Sequence, residues 1–310
     1  MTEPLVCIID DKTYIDGNCY QHQVSEALAH RFDVSYVPVS EVDCVRSLEG
    51  KVLSRLKLRT LDRTLKSVSA ALCDRPLYVY EQDTWESFLV GSPFFGSYKR
   101  ITESLNVVSF LNTSNWWARQ VVESGLPSRT VQMWMNRRLC RPSVRWADRK
   151  HDVVFCGTMY PRRQRFFDAL ERAGTKVEIV RSGLGYNKYL KLVSECKLMI
   201  RSERVEWDVE LPSGRQTLSD PHALWIRDVE CASQGCFSAR EHDDEYDRWG
   251  LSRLPTVVTF DDVGSAQEVI RSVMSLSDDR ADEIVAVSRD VVLNDRGWLT
   301  INDALRGDVD

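Results

Sequence analysis

The sequence predicts an α/β protein made of two doubly wound, Rossmann-like domains, and three observations lead there. The first is length: 310 residues exceed the roughly 100–200 of a typical domain and suffice for two buried cores. The second is the opening alternation, in which Leu5-Val-Cys-Ile-Ile9 reads as a strand, Val24, Leu28 and Phe32 recur at helical spacing, and Val34-Ser-Tyr-Val37 reads as the next strand. The third is a fresh start midway. Val153 to Phe155 is a short β-branched run of the enclosed parallel-sheet type, and it runs into Gly157-Thr158 and then an arginine-studded helix start.

The elements between follow the same alternation. The stretch from Lys51 to Leu72, with Val52, Leu56, Leu61, Leu65, Val68 and Leu72 apolar, reads as one amphipathic helix. Strands are expected at Leu77–Tyr80, Val107–Leu111 and Val131–Met135, and Arg137 to Lys150, rich in Arg and without periodicity, reads as a linker. Beyond it come a helix from Arg165 to Gly174, strands at Val177–Val180 and Lys197–Arg201, and a polar stretch from Ser202 to Asp220 read as an extended loop. Gly235 ends a helix, Cys236–Ser238 and Thr256–Phe260 are strands, and Ala281 to Leu305 is a helical tail. The expected domains are therefore 1–150, 151–280 and a C-terminal helix, 281–310, that packs back on the first.

Composition bounds the function. No apolar run is long enough to cross a bilayer, and Met-Thr-Glu-Pro lacks the plan of a signal peptide, so a cytoplasmic protein without membrane insertion is expected. Nine cysteines without a Cys-x-x-Cys pair and five dispersed histidines argue for reduced thiols and against a zinc site. Net charge is −5 and uneven: residues 1–150 carry 20 Lys+Arg against 17 Asp+Glu, and the rest 21 against 29. The basic surplus includes Lys57, Arg59 and Arg63, which mark either a polyanion-facing side or a solvated face.

Three stretches carry chemistry. Gly157 clears space for a close approach, Thr158 offers a hydroxyl, and the helix start with Arg162, Arg163 and Arg165 suits a diphosphate, because free N–H groups and guanidinium forks favour anions. After the strand Leu77–Tyr80 come Glu81, Asp83 and Glu86, where a carboxylate beyond a strand end can serve as a general base or simply cap the next helix. Arg227 and Glu230, three apart, share a helix face and can hold a phosphate and a ribose diol or merely pair with each other.

In order and spacing these motifs resemble the nucleotide-sugar glycosyltransferases of the GT-B fold, in which two Rossmann-like domains face a cleft, most nearly the CgeB-like group and more distantly the phage DNA β-glucosyltransferase. Gly157-Thr158 matches the family's Gly-Ser/Thr turn, and Arg162 and Arg163 stand near where those enzymes set arginine against the donor pyrophosphate. Arg227-Asp-Val-Glu230 matches their Arg-x-x-Glu, whose glutamate holds the donor ribose, and Tyr78-Val-Tyr-Glu-Gln-Asp83 looks like the strand-then-Asp element that supplies the base. The arginines after Gly157 are displaced by a residue or two from the phage pattern, and the 202–220 stretch is longer. The resemblance implies a UDP-sugar co-substrate, no obligatory cofactor or metal, and inverting transfer with Asp83 as base. The candidate donor set is Gly17, Asn18, Gly157, Thr158, Arg162, Arg163, His222, Arg227 and Glu230, with Lys57, Arg59 and Arg63 toward a polyanionic acceptor. That acceptor is expected to be a hydroxymethylated pyrimidine in double-stranded DNA, in a host cell's cytoplasm if the chain is phage-encoded. The alternatives are a cell-surface or spore polysaccharide, a small metabolite, or a non-catalytic nucleotide-binding module.

Overall fold

A computed structural model describes residues 2–11, 19–132, 135–181, 183–223, 226–294 and 300–306. The chain divides into two compact units, the first of residues 1–134, 206–224 and 297–310, the second of 135–205 and 225–296. The division thus falls before the arginine-rich segment expected to be a linker, and the first unit takes back two later pieces of chain.

In the first unit the order is β1 (Glu3–Ile9), α1 (Cys19–Arg31), β2 (Phe32–Pro38), β3 (Lys51–Ser54), α2 (Leu58–Leu72), β4 (Leu77–Glu81), α3 (Ser97–Ser104), β5 (Val107–Asn112), α4 (Asn115–Glu123) and β6 (Ser128–Thr130). The six strands are parallel in the order β2-β1-β3-β4-β5-β6. Two expectations shift here. The basic segment from Lys51 is not one helix: Val52, Leu53 and Ser54 are fully buried in the third strand, and the helix begins at Leu58. So short an apolar run cannot be assigned by periodicity alone. The last strand lies at Ser128–Thr130, three residues before the expected Val131, and part of the expected strand, residues 133 and 134, lies outside the described residues.

The second unit contains β7 (His151–Gly157), α5 (Pro161–Arg172), β8 (Glu178–Arg181), α6 (Tyr186–Ser194) and β9 (Cys196–Arg201). The chain then gives the first unit an antiparallel hairpin, β10 (Trp207–Leu211) and β11 (Gly214–Leu218), where the sequence suggested a loop. The apolar residues of β10 alternate with charged ones at strand period, and Val209, Leu211 and Leu218 join the first unit's core. The second unit resumes with α7 (Arg227–Gln234), β12 (Phe237–Glu241), α8 (Asp244–Arg248), β13 (Val257–Phe260), α9 (Val263–Met274) and α10 (Asp278–Asn294). Its five strands are parallel in the order β13-β12-β9-β7-β8.

This sheet is apolar on both faces. Val153, Phe155, Leu198, Ile200, Phe237 and Phe260 pack on one, and Val154, Met199 and the buried thiols Cys156, Cys196, Cys231 and Cys236 on the other. Burial on both sides explains why β7 and β9 read as near-continuous apolar runs. The C-terminal tail does not act as one element: α10 packs on α7 within the second unit, whereas α11 (Thr300–Arg306) packs on α1 within the first. Among the described residues no helix is long and apolar enough to cross a membrane.

Candidate functional site

Both parallel sheets reverse their strand order between the first and third strands of the unit, β1/β3 and β7/β9. In doubly wound sheets a ligand sits beyond the carboxyl ends of the strands at such a switch point. In the second unit that point is bordered by Gly157, which ends β7, and by Arg201, which ends β9.

Three guanidiniums meet there. Arg227 donates to the carbonyl of Cys156 at 3.2 Å, and Gly157 is what lets it approach: a Cβ at 157 would lie 3.1 Å from the Phe155 ring and 3.2 Å from Arg227 Nη1. Arg163 lies over the Phe155 ring and donates to the carbonyls of Thr158 at 2.6 Å and Ser202 at 2.9 Å, closing the turn. Arg201 is fully buried, bonded to Asp228 and 3.3 Å from Glu203. Its Nε and Nη1 have no hydrogen-bond partner. Burial, helped by the Arg227 and Arg201 charges, pushes the Arg163 pKa down. Burial also opposes the charge on Arg201, but Asp228 and then Glu203 more than offset it. Guanidiniums gathered at one strand end, with Asp228 and Glu203 as their acidic neighbours, are chemically suited to an anion. Helix α5 starts beside it with Pro161 in its first turn and no side-chain cap on its first N–H groups.

Arg162 turns elsewhere, to within 3.9 Å of Glu241, with one buried nitrogen unpartnered. Glu241 itself accepts from the backbone N–H groups of Glu203 and Arg204 at 2.5 and 2.6 Å. Glu230 does not form the simple ion pair with Arg227 that its spacing allows; it is buried and accepts from the Tyr186 hydroxyl at 2.7 Å. Burial raises its pKa, with the Tyr186 bond and the Arg227 charge pulling the other way.

Two residues needed here were not singled out from the sequence. Arg201 ends an apolar strand and carried one signal, a charge at a carboxyl strand end. Asp228, inside Arg227-Asp-Val-Glu230, holds Arg201 and Arg240 at once, an arrangement visible only when β9, α7 and β12 are brought together.

In the first unit, Asp83 follows β4 at the N-cap position of a short 3-10 turn, yet its side chain makes no capping bond. Its backbone N–H and that of Gln82 donate to Glu81 Oε1 at 2.6 and 2.9 Å. Thr84 is bonded to Asn112, which also accepts from Tyr98 at 3.1 Å, so the strand end is fixed from both sides. Burial raises the Asp83 pKa, and Lys57 and Arg59 partly restore the charge. Arg59 is paired with Glu86 at 2.6 Å, and Arg59 and Arg63 both lie over the Phe94 ring. His222 belongs to this unit, at a positive φ of 46°, stacked on Trp116 with centroids 4.2 Å apart. Gly17 and Asn18 lie outside the described residues. Among the described residues no group of three or more His, Cys, Asp and Glu side chains could hold a metal ion.

No protein-family model matches the sequence, and no curated protein matches it. Solved structures match throughout. The chain aligns over 99% of its length with 99% of Anabaena Alr3699/HepE, crystallised with UDP and glucose, at 11% identity and a TM-score of 0.62. The chain has the GT-B fold. An α-glucosyltransferase bound to UDP and a 13-mer DNA containing an HMU base aligns over 99% of both chains at 10% identity and a TM-score of 0.60. Sucrose-phosphate synthase from Thermosynechococcus elongatus aligns over 98% of both at 12% identity and 0.56. At such identities the shared property is the fold, and the chemistry has to be argued from the residues.

Proposed function

We propose that the protein is a glycosyltransferase that moves a sugar from a UDP-linked donor to an acceptor hydroxyl with inversion at the anomeric carbon. The observation that carries this is the cluster of Arg163, Arg201 and Arg227 at the β7/β9 switch point, beside the turn Gly157-Thr158 and an uncapped helix start. In this reading the guanidiniums and helix N–H groups hold the diphosphate, and Glu230 exchanges its Tyr186 bond for the ribose hydroxyls. Asp83 takes the proton from the acceptor O–H. The acceptor oxygen forms its bond to the anomeric carbon while the bond to the diphosphate oxygen breaks, and UDP leaves with that electron pair. Fixed cations facing the leaving group supply the help, worth ~3–4 kcal/mol for a well-placed donor. Arg162, Gly17, Asn18 and His222 remain proposed donor contacts without an assigned atom.

The direct test is thermal unfolding with a panel of nucleotides and nucleotide sugars. UDP at a hundred times its dissociation constant is expected to add ~2.7 kcal/mol of stability, and a panel in which no nucleotide stabilises the protein sinks the proposal. Glu230→Ala is expected to weaken UDP-sugar binding about ten-fold or more by removing the ribose acceptor. Unchanged donor affinity takes Glu230 out of the site.

For the acceptor, the expectation of hydroxymethylated DNA has the likeness to a DNA-bound glucosyltransferase on its side. The surroundings of Asp83 bear on the choice.

A further inference from the structure

Within the first unit, the segment that follows Asp83 lines an open cleft of about 630 Å³. One wall is the segment after β4, with Trp85, Glu86 and Phe94; the other is the start of the hairpin, with Trp207 and Asp208; Arg59 also lines it. The walls are tied by backbone pairing. Val90 N–H donates to Asp208 at 2.8 Å, Glu210 N–H donates to Phe88 at 2.9 Å, and Leu89 bridges Val209. The hairpin therefore holds Trp207 against Trp85, with ring centroids 4.4 Å apart and planes 22° from parallel.

The lining combines two kinds of surface. The indole pair and Phe94 give flat apolar faces. Glu86, whose side chain is only 8% exposed, and its partner Arg59 place a buried acceptor and donor beside them, and the Trp85 indole N–H is buried without a partner. A pyranose matches this, because its C–H face packs on an aromatic ring while its hydroxyls both donate and accept. A polyanion matches poorly: three acids, Glu86, Glu206 and Asp208, line the cleft against one base, Arg59, which is already paired. A flipped base also fits poorly, since the two indoles stack on each other and leave no gap between their planes.

We infer that this cleft is an acceptor site for the sugar ring of a neutral glycan. Asp83, the proposed base, stands two residues before Trp85 in the chain, and Trp85 and Glu86 line the cleft. The inference rests on the glycosyltransferase reading and specifies its acceptor.

The experiment measures binding of cellobiose, maltotriose and N,N′-diacetylchitobiose to the full chain by ligand-observed NMR, with a hydroxymethyluracil-containing DNA duplex in parallel. UDP-induced thermal stabilisation is recorded for every variant. The expected result is saturable binding of at least one glycan, weakened about ten-fold or more by Trp207→Ala and by Glu86→Gln, with UDP stabilisation unchanged. Retained UDP stabilisation certifies folding, and Trp207→Phe should recover part of the glycan affinity. UDP binding with no glycan binding, or glycan binding that both variants leave intact, overturns the inference while sparing the donor proposal. So does salt-sensitive DNA binding that falls when Lys57, Arg59 and Arg63 become Ala. Loss of UDP binding in the unaltered protein instead overturns the reading beneath it.

Discussion

Asp83→Asn is expected to lower kcat by about two to four orders of magnitude while leaving the UDP-sugar dissociation constant within about two-fold, because the amide keeps the shape of the carboxylate but cannot accept a proton. General-base catalysis contributes typically 10²–10⁴-fold. The expectation is specific to a base, since the Asp83 side chain makes no capping bond whose loss would unfold the 84–87 turn. The pH profile adds a second check. Burial raises the Asp83 pKa, with Lys57 and Arg59 only partly offsetting it, so the base is protonated and inactive at a pH where an ordinary aspartate is still ionised. The acid limb of kcat/KM should therefore lie above ~3.9, the reference value for aspartate, and should be absent from any residual activity of the variant. Single-turnover kinetics from pH 4 to 8 decides the matter. Full turnover by Asp83→Asn removes Asp83 as the base.

Asp228→Ala is expected to have the largest effect on stability. Its buried carboxylate accepts from Arg201, from Arg240 at 2.9 Å and from Ser238 at 2.7 Å, and Arg240 is also bonded to Asp243. Arg201 and Arg240 are both fully buried, so removing Asp228 leaves guanidinium charge in the interior with too little compensation. Breaking such a pair from one side costs about 3–5 kcal/mol. The sign of the pH dependence follows from the shift. Burial works against the Asp228 charge, but Arg201 and Arg240 more than offset it and depress its pKa. Its contribution is thus fully present above the unfolded aspartate value of ~3.9 and is lost only as pH falls through the lower folded value. Denaturant titrations at pH 6 and pH 8 should show the same large deficit for the variant. A deficit below ~1 kcal/mol at both would mean that Arg201 is held by Glu203 and packing instead. Because Arg201 belongs to the proposed diphosphate site, a folded variant should also bind UDP more weakly.

The sequence by itself determined the alternation of strands and helices, the start of a second doubly wound unit at Val153, and the placing of Gly157 with Arg162, Arg163 and Arg165 near one strand end, whereas Arg227 was joined to them only by the family resemblance. These follow from local physics: period, β-branching and glycine are properties of neighbouring residues, and parallel topology then forces the carboxyl ends of the strands together. The tertiary structure decided what depends on distant chain. The 207–218 hairpin looked like a loop because it is rich in polar residues, and its strands are fixed by pairing with each other and by docking of Val209 on Leu89. Asp83 could be a cap or a base on sequence grounds, and the tertiary structure shows that its side chain makes no capping bond. Glu230 could pair with Arg227, but α6 brings Tyr186 to it instead. Arg201 and Asp228 lie twenty-seven positions apart and become one unit only when β9 and α7 pack. Hydrogen bonds and desolvation act through space, so the residues that set the charges of a site are neighbours that sequence spacing does not reveal.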